Sequence, residues 1–301
     1  MCLICMYYKY ILWEFFLFPH LIHFTKIILT QIKESDVRFT SLGHARNIWA
    51  ISAIHGDIDK LVTLHDALFP HISAGDRIIY TGNYTGYGES SSNVISELLT
   101  FRRAVLAKQS MIPTDLIYLR GAQEEMWQKL LQLQFSPDPM NTFLWMLGNG
   151  LGNTLYAYGL SPHDGVEACS QGMVGISQWT NRVRETLTKN TGHRTFSMQL
   201  VRAAYSPEDA EYPMLFVNAG IDTQKALQEQ GDNFWWGHHK FNQIDTAYAP
   251  FEKVIRGYDP DHNGINFNCV KATIDGGCGF GGSLVCAGFG RDGKVLDTLE
   301  C

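Results

Sequence analysis

The sequence predicts an α/β (α+β) domain in which a central mixed β-sandwich is flanked by helices and interrupted by an α-rich insertion. Three observations point there. Short apolar, strand-like runs alternate with helix-period segments through residues 48–119. A long stretch without strand patterning follows, and strand-like runs return from residue 214 onward. A chain of 301 residues with 45% apolar content can bury the core that such layers need.

Residues 48–54 read as a strand, 58–68 as a helix, 77–82 as a strand, 93–106 as a helix and 116–119 as a strand. This βαβαβ order predicts a parallel sheet, with a site in the loops that follow the strand ends. Residues 124–134 follow as an amphipathic helix that buries Met126, Trp127, Leu130 and Leu131. Segments 143–158 and 174–187 add helices to an insertion spanning about 125–212, and 214–219 resumes the sheet. Residues 272–299 read as strands around the turn from Asp275 to Gly282. That turn spells Gly277-x-Gly279-x-x-Gly282, the letters of a dinucleotide fingerprint. A fingerprint opens a helix, whereas strand-like residues 284–288 follow here, so a tight hairpin bend is expected.

A net charge of −6 argues against the basic field that nucleic acid or anionic membranes require, so nucleic acid is not an expected partner. Seven cysteines, an odd number without paired spacing in the domain, fit reduced thiols and a cytoplasmic setting. Cys2-x-x-Cys5 has no second pair to complete a metal site. Residues 1–46 read as an N-terminal extension ahead of a domain at 47–301. Its segment 10–30 is aromatic and aliphatic but broken by Glu14, Pro19, His20, His23 and Lys26, a poor membrane span and a poor signal peptide. Three readings stay open: a peripheral membrane or partner anchor, an imperfect span, or translated sequence ahead of the true start. Membrane association through residues 10–30 is therefore the alternative to the cytoplasm, and holds only if that segment is real.

Five stretches carry the chemistry-bearing positions. They are Ala50-Ile51-Ser52-Ala53-Ile54-His55-Gly56-Asp57, Gly75 to Gly88, Tyr118-Leu119-Arg120-Gly121-Ala122-Gln123-Glu124, Leu215 to Asp222, and Val254-Ile255-Arg256-Gly257-Tyr258-Asp259-Pro260. In this order they resemble the motifs of the calcineurin-like metallophosphoesterases, especially the serine/threonine phosphoprotein phosphatase branch, from about Asn47 to Glu300. The resemblance implies a four-layer metallophosphoesterase fold, with residues 272–299 as its closing hairpin. It also implies, for an active member, two divalent metals such as Mn or Fe/Zn. The metal-holding positions would be Ala53, His55, Asn83, Ala122, Asn218 and Tyr258, and only His55 is the residue that the family uses. The catalytic acid would be Gln123, the aspartate that orients it Gly86, and the phosphate-clamping arginine Tyr87.

Two divalent ions activate water and stabilise the attacking and leaving oxygens of an in-line displacement. Such ions need anionic oxygens and imidazoles, which alanine and amide side chains do not replace. Gln123 has no titratable proton and Tyr87 no permanent cation. The resemblance thus implies a degenerate, pseudophosphatase-like member with no metal cofactor. Its pocket of His55, Asn83, Tyr87, Arg120, Gln123, Asn218 and Tyr258 would bind a protein or a phosphorylated ligand. The alternative is a metal-dependent phosphoprotein phosphatase or phosphoesterase with a rearranged site. His55 would then be a ligand rather than a hydrogen-bonded pocket histidine, and Asp57, Glu124, Glu125, Asp222, Asp259, Asp261 and His262 the replacements. These residues otherwise read as solvated or capping groups. The run Phe234-Trp235-Trp236-Gly237-His238-His239 fits an interface or a core equally. Asn83-Tyr84-Thr85 spells a glycosylation sequon inside a pocket motif, where it carries no meaning.

Overall fold

Side chains on the first long strand alternate between two cores: Ile48 and Ala50 point into one, Trp49 and Ile51 into the other. In the computed structural model, which describes residues 39–301, that strand is the middle of a five-stranded sheet. Strand β1 (Phe39–Ser41) precedes β2 (Asn47–Ile51), α1 (Ile58–Leu68), β3 (Arg77–Tyr80), α2 (Ser91–Leu106) and β4 (Leu116–Tyr118). β2, β3 and β4 pair in parallel, as the βαβαβ pattern predicts. The insertion holds α3 (Ala122–Leu130), α4 (Pro139–Met146), α5 (Gly152–Ala157), α6 (Pro162–Ser170), α7 (Gly172–Lys189) and α8 (His193–Met198). It has its own core, in which Met126, Trp127 and Leu130 meet Phe143, Leu155 and Trp179.

The chain then runs through β5 (Ala203–Tyr205), β6 (Met214–Val217), α9 (Asn233–Trp236), α10 (His238–Asn242), β7 (Lys253–Arg256), β8 (Asn266–Phe267) and β9 (Lys271–Thr273). β10 (Val285–Gly290) and β11 (Val295–Glu300) end it. One sheet has the order β11-β10-β2-β3-β4, the other β1-β5-β6-β7-β9-β8. Ile48, Ala50, Phe216, Ile255 and Phe289 fill the space between the sheets, and Leu61, Leu64 and Leu98 of α1 and α2 cover the outer face of the first. On the second, Phe241 of α10 lies 4.4 Å from the Arg256 guanidinium. The sandwich and its insertion are therefore as the sequence predicts.

Three features differ. The folded unit begins at Thr40 rather than Asn47, because the short strand β1 joins the edge of the second sheet; three residues carry no periodicity to read. The helix expected over 143–158 breaks between Leu147 and Leu151, where Gly150 adopts φ 97°. The turn at 275–282 is the tight bend expected, closed by an antiparallel bridge between Gly276 and Ser283 and by the Gly282 N–H donating to the Gly277 carbonyl at 3.0 Å, but the strands on either side of it do not pair with each other. β9 pairs with β7 in one sheet and β10 with β2 in the other, so this turn carries the chain between sheets, and the closing hairpin is β10–β11.

The described cysteines, Cys169, Cys269, Cys278, Cys286 and Cys301, are all free. Among the described residues no helix is long and apolar enough to cross a membrane. Cys2, Cys5 and segment 10–30 lie outside the described residues.

At the seam between the sheets, Thr81 donates to the Ile51 carbonyl at 2.7 Å, and a Cβ on Gly257 would lie 1.7 Å from the Thr81 hydroxyl oxygen. The substitution Gly257→Ala should therefore cost about 3 kcal/mol of unfolding free energy in a urea titration, an overpacking penalty that an exposed Gly159→Ala change does not share.

Candidate functional site

The loops after β2, β3, β4, β6, β7 and β9 are sewn together by backbone hydrogen bonds. The amides of Ile54 and His55 donate to the Asn83 carbonyl at 3.0 and 2.8 Å, and Ala53 donates to Gly257 at 3.0 Å. Gly257 and Tyr258 donate in turn to the Asn218 carbonyl at 3.1 and 3.0 Å. Glu124, in the first turn of α3, accepts from the backbone of Gly121 at 2.9 Å, Asn83 at 2.8 Å, Tyr84 at 2.9 Å and Thr85 at 3.4 Å. Burial raises its pKa and these backbone donors restrain the rise.

The amides at the expected ligand positions are turned away from a cation. Gln123 donates its backbone N–H to Asn83 Oδ1 at 3.1 Å, so the Asn83 amide nitrogen, buried and without a partner, faces the other way. Asn218 Oδ1 accepts from the Ala122 amide at 3.2 Å, and its Nδ2 donates to the Thr81 carbonyl at 2.8 Å. Ala53 and Ala122 offer nothing but a methyl group. Gln123 bonds through Nε2 to the Asn149 carbonyl at 2.8 Å, and Gly86 backs onto the Gln123 amide and the His55 ring. Asn83 is fully buried, which removes its sequon from consideration.

His55 has φ 52° and no exposed surface, and neither ring nitrogen makes a well-formed hydrogen bond. Three rings wall it edge to face, with centroids at 5.3 Å for Tyr87, 5.1 Å for Tyr258 and 5.3 Å for Phe280. Burial lowers its pKa to about 4; Asp275 and the Thr85 backbone oppose that shift, and His262 adds to it. Gly279 lets the cover close, because a Cβ there would lie 2.4 Å from the Cβ of His55. Burial pushes the Cys278 thiol up to about 12, and it donates to the Ile54 carbonyl at 3.2 Å.

Most of the acids proposed as replacement ligands are occupied elsewhere, and Asp261 is exposed without an ion pair among the described residues. Asp57 caps α1 and pairs with Lys60 at 2.9 Å, Asp222 pairs with Lys240, and Asp259 with Arg256 at 3.0 Å. Glu125 pairs with Arg120 at 3.2 Å, so Arg120 contributes its charge to an ion pair. His262 bonds Asp275 at 3.1 Å, a pairing that raises its pKa. Among the described residues no three of His, Cys, Asp and Glu come together as a metal-holding group. One neutral imidazole, two methyl groups and amides committed to the backbone do not fit a pair of divalent cations. The run at 234–239 divides: Phe234 and Trp235 are core, while Trp236 lies under Lys129 at 4.7 Å.

Sequence reasoning missed Asp275 and Phe280, which a glycine-rich turn delivers to His55. A lone aromatic amid five glycines was the available signal. A cavity of about 170 Å³ opens at the opposite end of the strands, lined by Arg46, Tyr212 and Arg291, and is not part of this centre.

No protein-family model matches the sequence, and neither does any curated protein. Solved structures do match. A crystal structure of a candidate diadenosine tetraphosphatase superposes over 87% of this chain and 97% of its own, with TM-score 0.50 and 15% identity. The chain has the metallophosphoesterase fold. A protein-tyrosine phosphatase of a cold-adapted Shewanella species aligns over 88% of this chain and 85% of its own, with TM-score 0.47 and 12% identity. For a serine/threonine phosphatase of Saccharomyces cerevisiae the corresponding values are 83%, 76%, 0.47 and 13%. In this metallophosphoesterase fold the centre is filled by its own side chains.

Because His55 has a folded pKa of about 4 against an ordinary 6.5, the folded state binds fewer protons than the unfolded state between those values. Stability should therefore rise with pH across that window and be lost on acidification, by at most roughly 3 kcal/mol. Denaturant titrations at pH 4.5 and 6.5 measure the slope. The variant His55→Asn, which tolerates a positive φ and does not titrate, should flatten it.

Proposed function

We propose that this chain is a pseudophosphatase, a metallophosphoesterase-fold protein that binds a partner protein through the rim of its former centre and does not hydrolyse phosphate esters. The orientation of Asn83 and Asn218 carries this reading. Each stands where the family resemblance places a metal ligand, and each has its amide oxygen committed to a backbone N–H across the loops. Turning either amide to face a cation would set its NH₂ against that N–H, a buried donor left unmet at about 1–3 kcal/mol.

Other losses support the same reading. Gln123 supplies no proton near neutrality, and the ring of Tyr87 stands where a phosphate-clamping arginine would be. Arg120 and Arg256 are already paired with carboxylates, which favours an unphosphorylated partner over a phosphorylated ligand.

The full chain purified from manganese-supplemented cells should carry far less than one transition-metal ion per chain by inductively coupled plasma mass spectrometry. It should also leave p-nitrophenyl phosphate unhydrolysed with Mn²⁺ in excess. A reproducible content of one or two ions together with metal-dependent turnover would overturn the reading.

A further inference from the structure

Given the non-catalytic centre proposed above, the chemistry of its rim decides what docks there. A phosphate-binding rim needs an uncommitted guanidinium or ammonium. Here Arg120 is bound to Glu125 at 3.2 Å, and Arg256 is buried against Asp259 at 3.0 Å and Thr273 at 2.9 Å. What the rim presents is aromatic. The rings of Tyr87 and Phe280 lie 4.4 Å apart, His262 packs on Phe280 at 4.2 Å, and Phe280 is 43% exposed.

The rim is also acidic. Asp259, Asp261 and Asp275 lie close enough to Tyr258 to act on it electrostatically. Arg256 offsets Asp259 and His262 offsets Asp275, but Asp261 is exposed and has no cationic partner among the described residues. Beneath the rings His55 is fully buried, and neither ring nitrogen makes a well-formed hydrogen bond. An anion arriving there meets an unpaired carboxylate, whereas a cation meets that carboxylate and the rings.

We propose that this rim is a cation site that takes an arginine side chain of the partner protein, its guanidinium stacked on the Tyr87 and Phe280 rings and paired with Asp261. Arginine fits better than lysine because its planar, weakly hydrated fork stacks on aromatic faces while donating to a carboxylate. The former phosphate end of the fold has thus exchanged preference for one sign of charge for the other.

The test titrates the intact protein, followed by NMR, with three probes: Nα-acetyl-arginine methylamide, its neutral isostere Nα-acetyl-citrulline methylamide, and phosphoserine. The arginine probe should saturate shifts at Tyr87, Asp261 and Phe280, with the citrulline probe several-fold weaker and phosphoserine without effect. Phe280→Ala and Asp261→Asn should each weaken the arginine probe roughly two- to fivefold, and Asp261→Asn, at an exposed position without an ion pair, should leave the melting temperature unchanged. Equal binding of arginine and citrulline, tighter binding of phosphoserine, or indifference to both substitutions would overturn the cation site. Metal-dependent phosphoester turnover would defeat the non-catalytic reading whatever the probes do. An inactive protein that ignores the arginine probe would defeat the cation site alone.

Discussion

One carboxylate holds the former centre in shape. Glu124 gathers backbone N–H groups from Gly121, Asn83, Tyr84 and Thr85, and so fixes the loop after β3 to the start of α3. That loop fixes the next one, because the Asn83 carbonyl accepts from both Ile54 and His55. The positive φ angles of His55 and Asn83, 52° and 56°, are uncommon outside glycine and are held by these bonds. Net hydrogen bonds contribute about 1 kcal/mol each, but leaving several buried donors unmet would cost more than most domains can spare.

Metal ligands and scaffold residues answer to different physical demands, so a fold can keep its scaffold where its ligand positions carry other side chains. A ligand's carboxylate serves only the ion, and where it is replaced the fold loses nothing if the gap is filled. Here Ala53 and Ala122 are buried as apolar groups, and Tyr87, Tyr258 and Phe280 close over His55. Asn218 goes further, since it has become a cross-link from the loop after β6 to the Thr81 carbonyl and the Ala122 amide. Of the carboxylates near the rim, Asp259 pairs with Arg256 and Asp275 with His262, while Asp261 stays unpaired among the described residues.

The fold was legible because its signals are local. The short apolar run of β2 and the helical periodicity of α1 each sit within a dozen residues, and α1 falls at 58–68 as predicted. The turn at 275–282 was not, because nothing in a glycine-rich run says whether the following strand pairs with its predecessor or crosses to another sheet. At the centre, motif order could mark Asn83 and Asn218 as site positions, but it could not give the direction of an amide. Only the structure shows that their oxygens accept from the backbone N–H groups of Gln123 and Ala122. Glu124 was likewise read as a capping group or a spare ligand, and its reach across to the loop after β3 needed coordinates.

The approach of Gly279 to His55 limits what position 279 can hold. The cover rests on His55 at a distance that no side chain at 279 would allow, and the turn that carries it belongs to the crossing between sheets. Any side chain there would have to lift the turn, so the packing over the loop after β2 is decided by a residue outside the five motif stretches.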